Sequence, residues 1–72
     1  MKLNKSDEKI LQSMEVLEQE QTITGNFFIV NRAEFLEMTG LSATTIKTRT
    51  DRLVELGYIE KSDNHNNSYK IL

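Results

Sequence analysis

The stretch GLSATTIKTRTDRLVELGYIEK, Gly40 to Lys61, decides the reading of the chain. Gly40 ends a preceding helix in the left-handed conformation that glycine tolerates best. Two residues on, Ser42 caps a new helix by offering its hydroxyl oxygen to free backbone N–H groups. On a helical wheel centred on Ile46, the residues Leu53, Thr50, Ala43 and Val54 complete one buried stripe, with Thr50 its weakest member. Thr44, Thr48 and Glu55 point outward, Lys47, Asp51 and Arg52 flank them, and Thr45 and Arg49 sit at the edge. Gly57 closes this helix, and Tyr58 to Lys61 then alternates apolar and polar as a strand does. Three of the nine basic residues and five threonines fall between Thr39 and Leu53, in a chain of net charge −2.

Upstream, Asn31-Arg32-Ala33-Glu34 fits a capping box, in which Asn31 and Glu34 each satisfy the other's backbone. Phe35, Leu36 and Met38 give the short helix that follows its inward face. Two helices joined by a tight turn at Thr39-Gly40-Leu41 make a helix-turn-helix. Before them, Phe27 to Val30 (FFIV) is too short for a helix and rich in residues that favour strands. A turn signal at Gly25-Asn26 introduces it. A first helix is expected from Ser6 as its cap, with Asp7 and Glu8 in the first turn and Ile10, Leu11, Met14 and Leu17 on one face. Glu15, Glu18 and Glu20 lie largely off that face. Downstream, Ser68 to Leu72 alternates with Tyr69 and Ile71 inward, and Ser62 to Asn67 is a polar loop, so the chain ends in a β-hairpin. The expected class is α+β in a single domain, residues 1–72. Its elements are helix 6–20, strand 27–30, helix 32–39, helix 43–56 and hairpin 58–72.

A chain of 72 residues hides only about 60% of the surface its unfolded form exposes. It contains no cysteine, which excludes disulfides and thiolate metal sites. No apolar run approaches the ~20 residues of a membrane span, and the first residues lack the apolar middle of a signal peptide. A cytoplasmic protein is therefore expected. The pI of about 5.3 runs against the excess of base usual in nucleic-acid binders. Charge is unevenly spread, however. Residues 1–30 hold three bases and five acids, whereas 31–72 hold six of each.

The segment Gly40–Lys61 resembles the winged helix-turn-helix superfamily of DNA-binding regulators. In that family Gly-Leu-Ser opens the recognition helix, matched here by Gly40, Leu41 and Ser42. The apolar anchors correspond to Ile46 and Leu53, and the Leu-Gly-aromatic-Ile entry to the wing corresponds to Leu56, Gly57, Tyr58 and Ile59. The similarity runs from Asp7 to Leu72. The sequence departs from the family at Thr50, where a large apolar residue is common, and at Thr48, where many members carry arginine.

The resemblance implies double-stranded DNA as partner, with the third helix in the major groove. Groove walls are phosphate and the floor carries donors, acceptors and thymine methyls. Ser42, Ala43, Thr44, Thr45 and Thr48 are the candidates for the floor and for a phosphate at the helix start. Lys47, Arg49 and Arg52 are the candidates for phosphates. In the wing, Lys61, Asn64 and Asn66 are the candidates for backbone contact. His65 reads as an exposed loop residue. The expected function is transcriptional regulation, of the kind that a phage, plasmid or other mobile element in a bacterium would carry. No phosphate-binding glycine loop, nucleophile–base pair or metal-ligand spacing occurs, so neither enzyme chemistry, cofactor nor metal is expected. The apolar residues of the first helix and N-terminus, Met1, Leu3, Ile10, Leu11, Met14, Val16 and Leu17, suggest a homodimer interface. The other expectation, from a different class, is a protein-interaction module whose acidic first helix and neutral wing dock on a partner, as in a replication or packaging subunit or an inhibitor.

Overall fold

A computed structural model describes residues 3–22, 26–65 and 67–72. Its elements run α1 (Lys5–Gln21), β1 (Phe28–Ile29), α2 (Arg32–Thr39), α3 (Ala43–Glu55), β2 (Ile59–Lys61) and β3 (Ser68–Ile71). This is the order read from the sequence. The three strands form one antiparallel sheet in the order β1-β3-β2. The hairpin β2–β3 thus takes β1 as a third strand, pairing Phe28 with Tyr69 and Ile29 with Ser68. Pairing in β2–β3 sets Ile59 against Ile71 and Lys61 against Tyr69. Among the described residues no helix is long and apolar enough to cross a membrane.

The helix ends follow local chemistry. The cap of α1 is Asn4, not Ser6 as the sequence suggested. The Asn4 side chain accepts from the Asp7 N–H at 2.8 Å, and the Asp7 carboxylate accepts from the Asn4 N–H at 3.2 Å. This reciprocal box satisfies two orphan donors, whereas Ser6 lies inside the first turn. At α2, Asn31 accepts from the Glu34 N–H at 3.1 Å, which is the first half of the expected box. Gly40 ends α2 at φ 71°, in the left-handed region as expected. The buried Thr39 hydroxyl stitches the turn, donating to the Phe35 carbonyl and accepting from the Leu41 N–H. Ser42 caps α3 by accepting from the Thr45 N–H. Past its end, the Tyr58 and Gly57 N–H groups bond the Leu53 and Val54 carbonyls, with Gly57 at φ 84°. That double return is a Schellman motif, which turns the chain into β2.

The core contains Ile10, Met14 and Leu17 of α1, Phe28, Val30, Phe35, Leu53 and Ile59. Three expectations change here. Within α3, Leu53 and Thr50 are the buried residues, while Ile46 and Val54 are half-buried and Ala43 is exposed. The stripe is therefore centred nearer Leu53 than Ile46. Thr50, expected to be its weakest member, is 5% exposed. Glu18, read as off the apolar face, is buried. And α1 turns Ile10, Met14 and Leu17 into its own domain's core, leaving Val16 as its exposed large apolar residue. Met1 and Gly25 fall outside the described residues.

The sheet has one edge strand whose backbone is covered. The Gln21 side-chain amide donates to the Ile29 carbonyl at 2.6 Å and accepts from the Ile29 N–H at 2.7 Å. It behaves as a one-residue strand laid along β1, blunting an edge that would otherwise template another chain. The two bonds are exposed, so Gln21→Ala is expected to cost only about 1 kcal/mol. Faster amide hydrogen exchange at Ile29 should accompany that loss, with little change at Leu53.

Candidate nucleic-acid interface

Helix α3 presents two faces with different chemistry. On one, Thr44, Lys47, Thr48, Asp51, Arg52 and Glu55 are all exposed. This matches the outward positions expected from the wheel. At the edge toward α1 the structure adds a contact that the wheel does not show. Arg49, assigned to phosphate contact, is engaged inside the molecule. Its Nε donates to Asp7 Oδ1 at 2.7 Å and its Nη2 donates to Asp7 Oδ2 at 2.6 Å. The Asp7 side chain is 2% exposed and that of Arg49 28%. A two-pronged guanidinium–carboxylate contact of this kind is geometrically selective and charge-assisted. The Arg49 hydrogen bonds hold the Asp7 carboxyl below the ordinary carboxylate range, against the opposing effect of burial; the Asn4 N–H helps in the same direction. Arg49 is correspondingly pushed up by Asp7. Asp7 therefore both caps α1 and anchors α3.

Two further expected residues are committed to the helix cap. The Ser42 hydroxyl donates to Thr45 Oγ1 at 2.9 Å while accepting from the Thr45 N–H. Thr45 is half-buried. Ser42 and Ala43 are exposed at the helix start. Asn64 is exposed in the β2–β3 loop, with its N–H donating to the Ser62 hydroxyl at 3.2 Å, and His65 beside it is exposed. Asn66 lies outside the described residues.

What the structure does assemble is a concavity of about 400 Å³ between α3 and the β2–β3 hairpin. Ala43, Thr44, Ile46, Lys47, Thr50 and Asp51 line it from α3, and Lys61, Asn67 and Tyr69 from the hairpin. Met14, Val30 and Phe35 contribute apolar surface, and Arg32 at the start of α2 joins them. Cross-strand register explains Lys61: it is paired with Tyr69, and Tyr69 with the buried Phe28, so all three share the inward face of the sheet. Beyond the core that face looks toward α3. Three bases, Arg32, Lys47 and Lys61, thus meet one acid, Asp51, around a single hollow. Burial, and then the charge of Asp51, push the Tyr69 phenol up, with Arg32 acting the other way, so Tyr69 stays neutral at physiological pH. Arg32 and Tyr69 were not among the expected site residues. Arg32 directly follows the Asn31 cap, which places it at the start of α2 beside the hollow.

Thr50 in this wall has a buried Oγ1 with no hydrogen-bond partner in the protein, the one such side-chain atom among the described residues. A buried polar atom left unsatisfied costs about 1–3 kcal/mol. Thr50→Val keeps the shape and removes that atom. Thermal denaturation is expected to show the variant about 1 kcal/mol more stable, or a few degrees in Tm; a clear loss of stability would mean the hydroxyl is satisfied.

Comparison of the chain with protein-family models, with curated proteins and with solved structures finds no match.

Proposed function

We propose that this chain is a sequence-specific double-stranded DNA-binding protein of winged helix-turn-helix type, acting as a transcriptional regulator, with α3 as the recognition helix and the β2–β3 hairpin as the wing. One observation carries the reading: a chain of net charge −2 sets Arg32, Lys47 and Lys61 around one hollow beside the exposed Thr44 and Thr48. Lys47 on α3 and Lys61 on the hairpin suit phosphates on either side of a groove wall, where neutralised phosphates release counterions. Thr44 and Thr48 lie one turn apart on the outer face, each with a hydroxyl and a methyl for base edges. Asp51 and Glu55 fall in the second half of α3, where a helix docked by its N-terminal half leaves the groove. Arg49 is given a different role in this reading. It fixes the angle of α3 against α1 and makes no phosphate contact.

The test separates the two kinds of contact. Fluorescence polarisation on a labelled duplex is expected to show Thr44→Ala and Thr48→Ala relaxing preference at single base pairs by about 1–3 kcal/mol. Equal loss on every duplex would contradict a base-reading role for these threonines.

A second reading has its own observation. Phe27, Ile29, Tyr58 and Leu72 are exposed large apolar residues. By strand alternation all four lie on the outer face of the sheet, where Lys70 Nζ sits 5.1 Å from the Phe27 ring centroid. This face suits a protein partner or a second copy of the chain better than α1, whose apolar residues are largely in the core. If Ile29→Lys abolishes a complex while Lys47→Ala leaves it intact, the protein-interaction reading replaces the first.

A further inference from the structure

Among the described residues six large apolar side chains are exposed, and four of them, Phe27, Ile29, Tyr58 and Leu72, share the outer face of the sheet. Ile29 and Leu72 are the most open, at 61% and 64%. Apolar surface gathered in this way marks an interaction site. The same face carries one acid and one base. Glu60 is paired with Lys70 across β2–β3, and strand alternation turns both outward. They form no ion pair with each other: Glu60 is exposed, and Lys70 lies on the Phe27 ring. The edges of the sheet are poorer routes to association. Gln21 covers β1, and β2 is three residues long and carries Lys61, features that discourage the addition of a strand.

We propose that a second copy of this chain packs on this face, outer sheet against outer sheet. The face is its own complement. A two-fold axis running along the strands between β2 and β3 lays β2 of each copy over β3 of the other. Glu60 then meets Lys70 of the second copy, and Lys70 meets Glu60 of the second copy, so one pair of residues supplies two opposite-charge contacts. Tyr58 and Leu72 meet in the same reciprocal way, and Phe27 and Ile29 on β1 border the contact. A partner of another sequence would need its own acid and base at matching positions, whereas a copy has them by symmetry. Three strands about 4.8 Å apart make a small face, so the pair belongs with weak, reversible interfaces, with a Kd on the order of 100 µM. Helix α3 lies on the other side of the sheet, so pairing leaves Thr44, Lys47 and Thr48 open. Pairing of this kind rests on the protein-interaction reading of the face and is independent of DNA contact by α3.

The test is sedimentation equilibrium on the full chain without DNA, from ~10 µM to ~1 mM. A monomer–dimer equilibrium is expected. Glu60→Lys alone and Lys70→Glu alone each set like charges against one another across the axis, and each is expected to weaken pairing by about tenfold. An equimolar mixture of these two variants restores opposite charges at both contacts and is expected to pair about as well as the unaltered chain. Leu72→Ser, at an exposed position just past β3, is expected to weaken pairing several-fold and keeps the test open if a charge variant folds poorly. Three results would overturn the proposal. The first is a monomer at every concentration, which would remove the second copy while leaving the Ile29→Lys test of the protein-interaction reading standing. The second is a dimer unmoved by all three substitutions, which would put the interface elsewhere. The third is a mixture of the two charge variants that pairs no better than either alone.

Discussion

Replacing Arg49 with methionine is expected to cause the largest loss of stability of any single change outside the apolar core. The substitution keeps most of the alkyl stem and deletes the two donors that bind Asp7. The Asp7 side chain, 2% exposed, then keeps only the Asn4 N–H and the electrostatic influence of Arg52. Leaving the Asp7 carboxylate buried without its partner costs about 3 kcal/mol, a large part of what a core this small supplies. Asp7→Asn is expected to be milder. It leaves Arg49 behind, and that side chain is 28% exposed and able to turn to solvent. The pH dependence gives the sign. Asp7 has a lowered pKa in the folded chain, so its contribution is present above the ordinary carboxylate value of about 3.9 and is lost as pH falls through the lower folded value. Arg49→Met removes the largest of the causes that lower the Asp7 pKa, leaving burial opposed only by the Asn4 N–H and the charge of Arg52. The Asp7 pKa therefore rises from its value in the unaltered chain, and the group takes up a proton at a less acidic pH. Urea titrations at several pH values should therefore show the gap between the two proteins narrowing from pH ~7 to pH ~4. A gap that stays constant would assign the loss to packing alone.

Lys47→Ala combined with Lys61→Ala is the second large effect, on affinity rather than stability. Both side chains are exposed, so folding should be nearly untouched. Each lysine that neutralises one phosphate contributes about 0.9 to the slope of log K against log salt. The double variant is expected to lose about 2 from that slope, and on the order of 10²-fold in affinity at moderate salt, uniformly across duplex sequences. Arg52→Ala, exposed on the same outer face, should add about one more to the change in slope if it also meets phosphate. An unchanged slope would remove the lysines from the interface.

Much of this architecture was legible because its signals are local. Asn31, Gly40, Ser42 and Gly57 bracket α2 and α3 by cap chemistry that depends on neighbours within four residues, and the helices end there. The interface needed contacts between distant parts of the chain. Asp7 and Arg49 are 42 residues apart, a pairing that no periodicity announces. One sign of it was present all the same. Asp7 extends the series Ile10, Met14, Leu17 back by a turn, and a carboxylate on a buried face requires a cation. Arg49 stood at the edge of the opposing stripe. Similarly, the depth of Thr50 follows from where α3 meets its neighbours, which shifts the buried centre toward Leu53. The placement of Lys61 depended on the pairing of β1 with β3, because only that sheet shows which side of the hairpin faces α3.

The claim on which the account rests is that the exposed face of α3 reads a duplex. A selection from random duplexes at low salt, followed by sequencing, tests it most directly. The expected result is an enriched motif of a few base pairs, with enrichment at single positions fading in Thr44→Ala and Thr48→Ala and overall retention falling in the Lys47, Lys61 double variant. A pool that emerges unenriched, with no duplex retained even in dilute buffer, would contradict it.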